Sequence, residues 1–114
     1  MDAVAAGREH AARTGEHDGE PEIERVAGET LLLMDATNTA EAEHCFRRAI
    51  AIAAEQGAKS FELRATISLA RWSRDTGRRD EARAMLTPIY GWFTEGFDTA
   101  DLKDAKALLD ELAP

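Results

Sequence analysis

Apolar residues along this chain recur at helical spacing, and breakers cut the pattern into short runs. The cuts predict six helices, over about 2–14, 21–35, 40–56, 59–76, 79–94 and 99–112. Gly15, Gly19 and Pro21 separate the first two, "TNT" at 37–39 the next pair, then Gly57, Gly77, and finally Gly96 with Asp98. Every link is short, which favours antiparallel neighbours and an all-α stack of helical hairpins.

The stretch 61–78 shows how such a stack is filled. At about 100° per residue, Leu63, Ala65, Thr66, Leu69, Ala70, Trp72, Ser73 and Phe61 cover an apolar or small-residue arc of roughly 200°. So wide an arc calls for neighbours on two sides, as an inner helix of a solenoid has. Arg64, Arg71, Arg74 and Arg78 share the remainder, with Ile67 among them as an apolar spot framed by guanidinium groups.

Near the C-terminus, "YGWFTEGF" carries four of the chain's seven aromatic residues. Helical counting assigns most of them to packing. Ala82, Leu86, Ile89, Tyr90 and Phe93 form one stripe, with Pro88 predicted to kink its helix. Phe97 is placed to staple onto Leu102, ahead of Asp98 as N-cap and Asp101 at the third helical position, and Leu102, Ala105, Leu109 and Leu112 give the last helix a covering face. The Tyr90 hydroxyl and Trp92 keep polar atoms in need of a partner, and are candidate secondary contacts.

An internal repeat runs at an offset of 40. "TAEAEHCFRRAI" at 39–50 aligns with "RDEARAMLTPIY" at 79–90, setting Ala42 over Ala82 and Phe46 over Leu86, while Gly28 falls over Ser68. A small residue recurs where two backbones approach, followed by a large apolar one that faces the next hairpin. The expected organisation is one helical-repeat domain over 1–114: the tail of an earlier repeat at 1–19, repeats at 20–57 and 58–97, and a covering helix at 98–114.

Composition agrees with that class and narrows the partners. The net charge of -8 conceals a basic centre, since residues 47–80 hold 4 acids and 8 bases against 11 acids and 3 bases in 1–46. Nucleic acid is disfavoured, and the basic zone suits an acidic protein surface. Cys45 is the lone cysteine, the N-terminus lacks the apolar run of a secretion signal, and no stretch approaches a membrane span, so a cytoplasmic protein without membrane association is expected.

Sites of chemistry are sparse. "GAKS" at 57–60 has Ala53 and Ala58 where a phosphate loop needs glycines, and reads as a helix end. Glu41, His44 and Cys45 have no second pair of ligands, and Asp98 and Asp101 fit helix capping better than catalysis. No catalytic, cofactor-binding or metal-ligating residue is assigned, and no enzyme activity is expected.

"SLARWSRDTGRRDEARAML" at 68–86 resembles a tetratricopeptide repeat through Leu69-Ala70, Gly77, Glu81-Ala82 and Leu86. Thr66, Ser73 and Arg79 stand where that repeat carries aromatic residues, and the period is 40 rather than about 34. A wider likeness runs through "RTGE" at 13–16, "GETLL" at 28–32, the stretch 40–72 and "GWFTEGFDTADLKDAKALLDEL" at 91–112. These segments resemble the extreme C-terminal repeat region of large bacterial signalling ATPases, which join a nucleotide cyclase or winged-helix domain to an ATPase module. The resemblance implies a right-handed solenoid and a protein-interaction or regulatory role, with an ATPase or regulator module among the possible partners.

On this reading Arg64, Ile67, Arg71, Arg74 and Arg78 are the candidate partner-binding residues, and the competing account is a solvated face partly paired with acidic neighbours. Two other functions stay open: a small-molecule effector sensor, and a piece of an ATP-dependent regulator or cyclase active only with further modules.

Overall fold

A computed structural model describes residues 20–35, 37–96 and 99–113. Among them are five helices and no strand: α1 Glu20–Met34, α2 Thr39–Gln56, α3 Lys59–Asp75, α4 Arg79–Trp92 and α5 Ala100–Leu112. The helix expected over 2–14, the Phe97 staple and the Asp98 cap lie outside the described residues.

Two of the links are built alike. After α2 the amide of Gly57 donates to Ala54 O at 3.1 Å and that of Ala58 to Ala53 O at 2.8 Å. After α3 the amide of Gly77 donates to Arg74 O at 3.1 Å and that of Arg78 to Ser73 O at 2.7 Å. These paired bonds close a helix with a left-handed residue, and Gly57 and Gly77 stand at φ of 70° and 85°. The next helix begins two residues after each glycine, so "GAKS" is a turn between helices. The α1–α2 link closes differently: Asp35 Oδ1 accepts from the Thr37 amide at 2.9 Å and hydroxyl at 2.7 Å, while Asn38 Nδ2 donates to Leu31 O at 3.2 Å.

Each helix packs on the next, and α3 also packs on α1 and on α5. One apolar cluster joins Ala27, Leu31, Ala42, Cys45 and Phe46 to Leu69 and Trp72 of α3. A second joins Leu63, Ile67 and Ala70 of α3 to Leu86 and Ile89 of α4 and Leu102 and Leu108 of α5. The wide apolar arc of α3 therefore feeds two cores. The 40-residue repeat is matched in burial, since Ala42, Phe46, Ala82 and Leu86 are all at 0% exposure.

Three expectations, on Ile67, Leu109 and Asp101, need correction. Ile67 is 4% exposed and belongs to the second cluster, because α5 packs on the edge of α3 that carries Leu63 and Ala70 and so widens the buried arc past 200°. In α5, Leu108 is buried and Leu109 only half-buried. That helix starts at Ala100 with Thr99 as N-cap, which makes Asp101 its second residue. Pro88 lies exposed within α4, which runs on past it to Trp92. On the stripe of α4, Ala82, Leu86 and Ile89 are buried, while Tyr90 and Phe93 are half-buried against the second cluster.

Candidate partner-binding face

Helices α1, α3 and α5 run beside one another, and between its two neighbours α3 exposes only a narrow strip. Helical phase places Arg64, Arg71 and Asp75 on it. Arg64 reaches both ways, with Nη1 3.1 Å from Glu22 Oε2 on α1 and Nη2 2.9 Å from Asp101 Oδ2 on α5. The guanidinium is thereby held in a fork between two carboxylates, and the hydrogen bond to Asp101, more than offsetting partial burial, raises its pKa further. Burial pushes the Glu22 carboxyl up, but the hydrogen bonds and charges of Arg25 and Arg64 outweigh it and hold the group below its ordinary value.

Arg74 is also engaged. Its Nε lies 3.0 Å from Asp75 Oδ1 and its Nη1 2.9 Å from Glu111 Oε2 at the end of α5. Arg79 of α4 donates to the Glu111 carbonyl at 2.6 Å. Helix α5 has no basic residue in its own last turn, so two arginines from elsewhere complement the negative end of its dipole.

Arg71 differs from both: it is exposed, and no ion pair or hydrogen bond engages it among the described residues. It borders a crevice of about 410 Å³ with Glu29, Leu32, Thr39 and the rim of Trp72. Arg78, exposed just beyond α3, stacks over the Trp72 ring at 5.1 Å and approaches Glu81 at 3.8 Å. Arg78 thus covers Trp72, which is 6% exposed and whose ring fills the first core.

Trp92 is 56% exposed, set edge-on to Phe93 at 5.1 Å, with Lys59 Nζ 5.4 Å from its ring. It shares a depression of about 580 Å³ with Arg64, Phe93 and Asp101. Tyr90 is half-buried against the second core. The candidate residues therefore divide between places: Arg64 with Trp92 at one end of α3, Arg71 with Arg74 beside Trp72 at the other, and Arg78 on a further depression with Arg79 and Arg83. Ile67 joins none of them.

What helical counting from sequence does not reveal is the set of acidic partners, Glu22, Asp101 and Glu111. Each lies 37 or more residues from its arginine, and only the packing of α1 and α5 on α3 brings them in. Among the described residues no three His, Cys, Asp or Glu side chains come together to hold a metal, and no helix is long and apolar enough to cross a membrane. No protein-family model matches the chain, and neither does any curated protein or solved structure.

Proposed function

We propose that the chain is a non-catalytic protein-interaction module of tetratricopeptide type, a short right-handed stack of hairpins of the kind that ends bacterial signalling ATPases and transcriptional regulators. The packing supports this reading: α1 pairs with α2, α3 with α4, and α1, α3 and α5 lie side by side. Stacked hairpins give a preformed surface, so a partner docks without a loop having to be ordered first.

The observation that carries the reading is Arg71. Arg64 and Arg74 already hold the stack together through Glu22, Asp101 and Glu111, whereas Arg71 is exposed and uncommitted among the described residues. Sharing its crevice with Leu32 and the edge of Trp72, it offers a bidentate donor with an apolar base, suited to a carboxylate of an acidic protein segment.

Affinity capture with the intact chain tests this. The partner retained by the native chain and by a Lys103→Glu control on α5 should be lost from Arg71→Glu and from Arg71→Glu combined with Arg78→Glu. Retention by the charge-reversed variants sinks the reading.

A further inference from the structure

Counted at about 100° per residue, Glu22, Val26, Glu29 and Leu33 of α1 fall within an arc of about 60°. Glu22 reaches Arg64 of α3 and Glu29 lines the Arg71 crevice, so the acidic edge of that arc borders α3. Val26 and Leu33 stand just beyond it, 43% and 87% exposed. Glu29 and Arg71 each lie seven residues past the Glu22–Arg64 pair, which sets Arg71 level with the midpoint between Val26 and Leu33. The face thus offers two apolar side chains about 10 Å apart, with a guanidinium beside their midpoint. Like Arg71, Glu29 makes no ion pair or hydrogen bond among the described residues.

A ligand for this face needs apolar groups at that spacing and a carboxylate between them, to one side. A strand sets same-face residues about 7 or 13 Å apart and misses the spacing, whereas a helix meets it at i and i+7, with the acid at i+3 or i+4. Helix α1 itself fits, because Val26, Glu29 and Leu33 stand at i, i+3 and i+7. It is also acidic, with Glu20, Glu22, Glu24 and Glu29 against Arg25 alone.

We propose that the partner bound at the Arg71 face is a second copy of this chain, docked α1 against α1 in antiparallel register. The proposal rests on the reading of Arg71 as a contact for a protein carboxylate, and names what supplies it. In this register Val26 of each copy meets Leu33 of the other. A twofold axis perpendicular to the two α1 helices keeps both α3 helices on one side of the pair, so Glu29 of each copy comes up beside Arg71 of the other. A parallel pairing would carry Glu29 to the side away from Arg71. The centre of the antiparallel pair gathers Glu29 and Arg71 from both copies, and their charges cancel.

Sedimentation of the full chain tests this. The native protein should be a dimer at about 100 µM and dissociate towards about 1 µM, as a small interface does. Arg71→Glu and Glu29→Arg should each be monomeric, because like charges then meet at the centre, and so should Leu33→Glu. Mixing Arg71→Glu with Glu29→Arg in equal amounts should restore the dimer, since the negative centre of one meets the positive centre of the other. A pairing lost within a single chain could not be mended in that way. Thermal unfolding at about 1 µM, where every chain is monomeric, should be alike for all and separates lost docking from lost fold. A native chain that stays monomeric at about 100 µM overturns the proposal, as does a mixture of folded variants that does not associate. If affinity capture still loses its partner with Arg71→Glu in either case, only the second copy falls. A native dimer unmoved by Arg71→Glu overturns the proposal together with the reading of Arg71.

Discussion

Gly28 lies against Phe46 so closely that a Cβ on the glycine would stand 2.6 Å from Cε1 and 2.8 Å from Cδ1 of the ring. The contact locks α1 to α2, and Phe46 is fully buried by it. Gly28→Ala should gain up to about 1 kcal/mol of helix propensity, yet lose more through overpacking, for a net destabilisation of about 1–2 kcal/mol. Urea unfolding measures it. In a Phe46→Leu background the same substitution should cost clearly less, and equal cost in both backgrounds would show that the ring is not what opposes the methyl.

That contact also shows how far the sequence could be read. The repeat places a small residue at Gly28 and a large one at Phe46, and breakers at Gly57 and Gly77 set helix ends to within about two residues, because left-handed glycine closures are local chemistry. Which residues meet across helices is not local. Ile67 sits 4% exposed because α5 shields an edge that angular counting on α3 alone leaves open, and Arg64 and Arg74 are tied to acids in distant helices. A helical wheel gives each side chain a direction and leaves its neighbour unnamed, so on it Arg71 is indistinguishable from the two arginines that act as clamps.

The clamp itself is measurable. Arg64 joins α1, α3 and α5 at once, but its side chain is 38% exposed, so solvent screens both pairs. Arg64→Met keeps much of the aliphatic packing and should lower stability by about 1 kcal/mol at low salt. In 1 M salt the difference should shrink. A loss independent of salt would assign the effect to packing.

Acid should loosen the same junction. The folded-state pKa of Glu22 is depressed, so its contribution is complete above the ordinary glutamate value of 4.5 and is lost as pH falls through the lower folded value. Native chain and Glu22→Gln should therefore differ in midpoint denaturant at pH 7 and converge below pH 4.5. A constant difference from neutral to acid pH would remove charge from the explanation.

Ser73 is fully buried, and its Oγ finds no hydrogen-bond partner among the described residues. Burying an unpaired hydroxyl costs about 1–3 kcal/mol, and alanine removes it with little change of shape. Ser73→Ala should leave stability unchanged or raise it by about 1 kcal/mol. A clear loss in thermal unfolding would reveal a partner for the hydroxyl.

Two glycines in open space should answer the same substitution with opposite signs. A Cβ at Gly77 or at Gly91 meets nothing within 4 Å, so neither change is a matter of packing. Gly77 holds φ at 85°, where a Cβ crowds the backbone, and Gly77→Ala should cost about 1–2 kcal/mol. Gly91 lies inside α4 near its end, where alanine restricts the unfolded chain without straining the folded one, and Gly91→Ala should gain about 0.5 kcal/mol. Thermal unfolding of the two single variants beside the native chain reads both shifts; a gain at Gly77 would mean that the turn after α3 is not closed by a left-handed residue, and a loss at Gly91 would mean that alanine strains the end of α4.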